Sequence, residues 1–281
     1  MTDFPLDTAE INTFIDIAFA EDIGSGDITA ETVIPEDAML VATMNAREDM
    51  IVAGLPLLAP IIKRLDPNAD IAVTVKDGAP LKAGDKIATI NAAARALLSA
   101  ERTALNIIQH MSGIATLTHT YVDAIKETAT ILLDTRKTTP GLRKLDKYAA
   151  ACGGAKNHRM GLFDAVMIKD NHIAVAGSIR QAVEAAITAG QTKIQVECDT
   201  LAQVSEAVEV GATSLLLDNM SPTTISEALT IVNGRIPCEA SGGVTLQTIR
   251  AIAETGVDYI SVGRLTQSAP AVDIGLDFAE A

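Results

Sequence analysis

The sequence predicts an α/β protein: a β/α barrel with missing or irregular early units, preceded by a segment of mixed helices and strands. Three observations carry this. From about residue 130, short β-branched runs alternate with longer helical stretches. The last four runs start 20, 24 and 21 residues apart. That steady spacing favours parallel strands with right-handed crossovers, closed into a barrel rather than left as an open sheet. Four successive runs also end on a charged side chain, Asp134, Lys169, Glu197 and Asp218. Barrels of this kind gather their chemistry at such strand ends.

Taken in order, residues 9–20 and 93–109 carry helical patterns and bracket strand-like stretches at 39–44, 71–75 and 86–90. Between them Gly78-Ala79-Pro80-Leu81-Lys82-Ala83-Gly84-Asp85 reads as a turn, because Gly, Pro and Asp supply turn backbone angles. Six strands are predicted at 130–134, 165–169, 193–197, 213–218, 237–240 and 258–262. Helices at 178–189, 201–210, 221–232 and 245–255 alternate with the later strands. Ser178, Ser221 and Thr245 stand where N-caps belong, and Gly190 and Gly256 where left-handed C-terminal residues belong. The expected division is a first domain at 1–112 and a barrel at 113–269, with the tail 270–281 packing back on the first domain.

Composition narrows the function. At 281 residues and 48% apolar content the chain can bury a large core. A pI near 4.6, 3% aromatic residues and no Trp argue against nucleic acid as a partner. The apolar run 51–62 is too short to span a bilayer and is broken by Pro56 and Pro60. Residues 1–22 are acidic and lack the pattern of a secretory signal, so a cytoplasmic protein is expected. Cys152, Cys198 and Cys238 form no CxxC pair, and His110, His119, His158 and His172 form no HExxH. Reduced, buried thiols are expected.

The charge is unevenly distributed. The chain carries −14, yet residues 134–172 hold eight basic side chains against four acidic ones. So concentrated a positive segment suits a polyanionic small molecule. Arg136, His158, Arg159 and Lys169 fit a carboxylate-rich ligand, since Arg forks onto carboxylates and Lys acts as a mobile charge. Arg102 fits that set too, or it pairs with Glu101 or Asp85. Ser241-Gly242-Gly243, ahead of Thr245 and a predicted helix, is a candidate phosphate loop, and Gly263-Arg264 fits the same role. Glu197 and Asp218 would repel a phosphate unless Mg²⁺ intervenes, they face sugar hydroxyls, or they sit by an electron-poor carbon.

These residues resemble the quinolinate phosphoribosyltransferase family over nearly the whole chain. The likeness starts at Glu21-Asp22-Ile23-Gly24-Ser25-Gly26-Asp27-Ile28-Thr29 and passes through Glu101-Arg102-Thr103-Ala104-Leu105-Asn106. It is densest in Asp134-Thr135-Arg136-Lys137-Thr138-Thr139-Pro140-Gly141 and Met167-Ile168-Lys169-Asp170-Asn171-His172-Ile173. The resemblance implies an α/β sandwich domain before an incomplete, TIM-like β/α barrel, and a homodimer in which Arg102 reaches the neighbouring subunit's site. It implies that quinolinate's carboxylates meet Arg102, Arg136, His158, Arg159 and Lys169. It implies that phosphoribosyl pyrophosphate and Mg²⁺ are held by Lys137, Lys169, Glu197, Asp218, Ser241, Gly242, Gly243 and Gly263. Lys137, Lys169, Glu197 and Asp218 would be the catalytic set, with Glu197 and Asp218 nearest the metal. Gln267, where the family pattern has His, and Arg264, where it has a small residue, depart from it.

Overall fold

Capping chemistry sets where the first helices begin in the computed structural model, which describes residues 3–278. Helix α1 (Thr8–Asp22) starts at Asp7, whose carboxylate accepts the Glu10 N–H at 2.9 Å while Glu10 accepts the Asp7 N–H at 3.1 Å. Asp27 caps α2 (Ile28–Val33) by accepting from the Thr29 and Ala30 N–H groups. Strand β1 (Met39–Ala46) turns Ala42, Met44 and Ala46 inward, the period-2 pattern of a half-buried strand. After it come β2 (Met50–Ile51), α3 (Leu58–Lys63), β3 (Asp70–Val73), β4 (Pro80–Leu81) and β5 (Lys86–Ala93). Helix α4 (Ala94–Ile125) runs well past the predicted end at 109, because Met111, Ile114, Ala115, Tyr121 and Ile125 extend its buried stripe.

The chain then divides its elements between two compact units. Strand β6 (Ile131–Leu133) belongs to the second, and α5 (Arg143–Cys152) to the first. The second continues through β7 (Val166–Ile168), α6 (Asp170–Ala176), α7 (Ile179–Thr188), β8 (Ile194–Cys198), α8 (Leu201–Glu209) and β9 (Ser214–Asp218). It ends with α9 (Pro222–Val232), β10 (Cys238–Ser241), α10 (Ile249–Ala253), β11 (Tyr259–Ser261) and α11 (Arg264–Gln267). Strand β12 (Ile274–Phe278) returns to the first unit and pairs antiparallel with β1. Residues 279–281 of the predicted tail lie outside the described residues.

In the first unit, an antiparallel sheet of order β12-β1-β5-β3 packs its inner face on an apolar core with α4. Residues 140–154 join this unit, although the sequence placed them in the barrel. Leu145, Tyr148, Ala149 and Ala150 of α5 are part of its core. The buried Asp146 meets His110 Nε2 at 2.8 Å, and the Tyr148 hydroxyl donates to Asp77 at 2.8 Å. Burial raises the Asp77 carboxyl despite the Gly54 and Leu55 N–H groups that donate to it.

In the second unit, all strands are parallel, in the order β6-β11-β10-β9-β8-β7. Among the described residues β6 and β7 are the two edges of the sheet, unpaired with each other, so the barrel is incomplete, as the sequence predicted. The chain returning at Lys156 lies along β6: its N–H donates to Leu132 at 2.9 Å and its carbonyl accepts from Asp134 at 3.2 Å. Ser178 and Ser221 cap their helices as expected, and Thr200 caps α8 with a box completed by Gln203. Thr245 does not begin a helix; α10 starts four residues later, after Thr248. No described helix is long and apolar enough to cross a membrane.

Candidate active site

The parallel strands present their C-terminal ends to one cavity of about 670 Å³, lined entirely by the barrel unit. Every predicted site residue except Arg102 lines it. Arg136 and Lys137 follow β6, Lys169 follows β7, and Glu197 and Asp218 stand near the ends of β8 and β9. Ser241 ends β10 and leads into Gly242 and Gly243, while Gly263 follows β11. His158 and Arg159 come from the returning segment beside β6. Arg102 is exposed on α4, in the other unit.

One wall is cationic. Burial and the nearby Arg136 charge lower the Arg159 guanidinium below its usual value, with Asp164 opposing. Two guanidinium groups this close together make a strong attractor for a carboxylate. Arg159 is oriented by a 2.9 Å bond from Nη1 to the Ala165 carbonyl. The segment carrying it is held from beneath by Asp134, which accepts the His158 N–H at 2.7 Å and the Asn157 side chain at 2.6 Å. Asp134 is fully buried and does not line the cavity, so this strand end is a clamp rather than a rim group.

The opposite wall is acidic. Lys169 Nζ pairs with Glu197 Oε2 at 2.5 Å, and His172 Nδ1 accepts the Lys169 N–H at 3.0 Å, fixing the turn into α6. The Asp218 carboxyl is pushed up, first by burial and then by the charges of Glu197 and Asp199, with Lys169 and Lys137 opposing. Asn219, at φ 55, donates to Asp218 Oδ2 at 2.6 Å and so orients it. A left-handed Asn outside a helix cap stores local strain, which fits a residue aimed at a functional group. An acid whose ionised form is disfavoured by a neighbouring carboxylate suits a cation or an electron-poor carbon. Among the described residues no three His, Cys, Asp or Glu side chains gather as a metal cluster. Mg²⁺ held by one or two carboxylates, with water and substrate oxygens completing its shell, fits this donor set.

Between the walls lies the glycine turn. Gly242 adopts φ +89, and a Cβ there would sit 2.2 Å from Asn219 Oδ1, so no other residue fits. With α10 starting only at Ile249, the cradle is the turn's own N–H groups rather than a helix start. A Cβ on Gly263 would lie 2.7 Å from Lys137 Cδ, so this glycine lets the lysine stem cross it into the cavity. Arg264 and Gln267, the two departures from the family pattern, also line the cavity.

Sequence reading missed the barrel's polar interior. Gln195 and Glu239 are buried mid-strand, and Glu239 and Ser261 line the cavity. The available signal was period 2: Gln195 precedes Glu197 by two residues, and Glu239 precedes Ser241 by two, so each shares the inward face. The thiols are as expected except that Cys152 is only half-buried; burial pushes Cys198 and Cys238 up to about 12.

An incomplete barrel with a guanidinium wall, an acid pair and a glycine cradle on one cavity is the framework of an enzyme suited to phosphorylated, carboxylate-bearing small molecules. Residues 27–112 match the family described as quinolinate phosphoribosyl transferase, N-terminal domain, and residues 114–277 the corresponding C-terminal domain. A probable nicotinate-nucleotide pyrophosphorylase [carboxylating] of Bacillus subtilis is 43% identical over 92% of this chain and 90% of its own. A quinolinate phosphoribosyltransferase [decarboxylating] of Nicotiana tabacum is 43% identical over 96% and 82%. The structure of the nicotinate-nucleotide pyrophosphorylase from Francisella tularensis superposes with a TM-score of 0.94 at 40% identity, covering 99% of this chain and 100% of that one. The chain belongs to the quinolinate phosphoribosyltransferase family.

Two carboxyls in this cavity should titrate on opposite sides of their ordinary values: Asp218 above, and Glu239 below. Ionised Asp218 therefore costs folding stability, a cost relieved as pH falls through its raised value. Glu239 contributes stability that is lost as pH falls through its depressed value. Carboxyl-carbon NMR titration, assigned with Asp218→Asn and Glu239→Gln, checks this; the reverse order would contradict the described electrostatics.

Proposed function

We propose that this chain converts quinolinate and phosphoribosyl pyrophosphate into nicotinate mononucleotide, CO₂ and pyrophosphate, in de novo NAD biosynthesis. The observation that carries the reading is the convergence of the guanidinium wall, the acid pair and the glycine cradle on one cavity. Arg136, Arg159, His158 and Lys169 form the quinolinate side. Lys137, Glu197, Asp218, Ser241, Gly242, Gly243 and Gly263 form the phosphoribosyl pyrophosphate side. The enzyme would work in the cytoplasm, where both substrates are soluble.

The pyridine nitrogen attacks the anomeric carbon, forming the C–N bond as the C–O bond to pyrophosphate breaks. Positive charge builds on the sugar, and Glu197 and Asp218 stabilise it as preorganised counter-charges. Lys137 and the glycine turn hold the departing phosphates, and Lys169, released from Glu197, bridges the two substrates. Mg²⁺, when bound at Glu197 and Asp218 or through water, supplies charge neutralisation to the leaving diphosphate. The ring nitrogen is now cationic. The carbon–carboxylate bond beside it breaks, CO₂ leaves, and the electron pair stays on that carbon until a proton arrives.

Carboxyl-labelled quinolinate supplied with phosphoribosyl pyrophosphate and Mg²⁺ should yield labelled CO₂ and mononucleotide in equal amounts. Mononucleotide from nicotinate and none from quinolinate would establish a non-decarboxylating relative instead. Neither product would point to a binding protein.

The remaining element is the partner. In the proposed homodimer, Arg102 of each subunit completes the quinolinate wall of the other; its exposed place on α4 leaves it available for that role. Arg102→Ala and Lys169→Ala should each lower turnover by about 10²–10³. Mixed and re-dimerised, the two variants should regain about a quarter of wild-type activity, since half the dimers carry one intact site. No recovery despite exchanged subunits would place Arg102 in its own subunit's site or outside it.

A further inference from the structure

Glu239 sits mid-strand in the barrel at 3% exposure, where a carboxylate persists only if it is well paired. Its Oε2 accepts from Gln195 Nε2 at 2.7 Å and meets His158 Nε2 at 3.0 Å. Burial, the largest influence, pushes its carboxyl up, but the bonds from His158 and Gln195 help to reverse that and hold it below the ordinary glutamate range. The other ring nitrogen of His158 is engaged as well: Nδ1 accepts the Arg159 N–H at 2.7 Å. An acceptor at Nδ1 carries no proton, so the proton is on Nε2 and points at Glu239.

A second cavity, of about 660 Å³, opens at the N-terminal ends of the strands, beside Lys193, Thr213 and Pro237. Glu239, His158 and Arg159 line both cavities. They form the partition between the mouth of the barrel and its base.

We infer that Glu239 is a positioning residue: with Gln195 it locks His158 as the Nε2–H tautomer, so that His158 serves the quinolinate side as a fixed wall rather than as a hydrogen-bond donor. The inference rests on the quinolinate reading of the site. It follows from the two engaged ring nitrogens, which leave the imidazole edge and face for the ligand. The same lock fixes Arg159, because the Arg159 N–H is the donor to Nδ1. Loss of Glu239 should therefore be felt at the carboxylate end of the cavity and not at the glycine turn.

Steady-state kinetics of Glu239→Ala and Glu239→Gln separate this from a general structural role. Glu239→Ala should raise the quinolinate KM at least about tenfold and leave the phosphoribosyl pyrophosphate KM within about twofold. Glu239→Gln keeps an acceptor for both donors and should stay within about threefold of wild type on both. An unchanged or lower quinolinate KM in Glu239→Ala, or an equal rise in both constants, would overturn the inference. So would a Gln variant as impaired as the Ala variant. Should Glu239→Ala fail to fold, ¹⁵N-histidine NMR of the wild type decides: His158 should show a bare Nδ1 and a protonated Nε2 at neutral pH. A protonated Nδ1 would refute the lock. A wild type inactive on quinolinate would remove the functional reading alone, and the ¹⁵N spectrum would still decide the tautomer.

Discussion

Parallel pairing is the constraint on which the rest depends. When β6 to β11 run in one direction, the residues following each strand arrive at the same end of the barrel. Residues separated by more than a hundred positions, Arg136 and Gly263 among them, then share one cavity without any local contact specifying it. The period-2 pleat supplies the depth. From Gln195 to Glu197 and from Glu239 to Ser241, one face of each strand carries polar groups inward while its neighbours pack against helices. Ile194, Val196, Leu215, Leu217 and Ala240 are that outward, fully buried set.

Separating charge by sign gives the cavity its chemistry. Like charges crowd on each wall: Arg136 beside Arg159, and Asp218 beside Glu197. Each crowding is a cost that a bound group of opposite charge would relieve. The Lys169–Glu197 ion pair joins the two kinds of charge. The partition below, built from His158, Glu239 and Arg159, is joined by hydrogen bonds through both His158 ring nitrogens, which hold the Arg159 segment in place.

Much of this was legible in the sequence, and the gaps have physical causes. Strand positions were readable because β-branched runs and turn residues carry local signals; all six barrel strands fall inside or within one residue of their predicted limits. Charged strand ends were readable for the same reason, except at Asp134, which only the returning segment at 155–159 could reveal as a buried clamp. The assignment of α5 to the first unit depends on contacts with Asp77 and His110, distant in sequence, and no pattern within 143–152 announces them. Glu239 was hidden because an isolated acid in a short strand looks like a solvated edge until the strand is known to be central. Arg102 is the limiting case: the role proposed for it rests only on family resemblance, since one chain's sequence carries no period for a residue acting across subunits.

The most direct test of this account is a crystal structure with quinolinate and an unreactive analogue of phosphoribosyl pyrophosphate bound together. The account predicts both carboxylates within hydrogen-bond reach of the Arg136 and Arg159 wall, and the pentose between Glu197 and Asp218. It also places a phosphate on the Gly242 and Gly243 amides. A dicarboxylate seated against Glu197 and Asp218, or outside the barrel mouth, would contradict it.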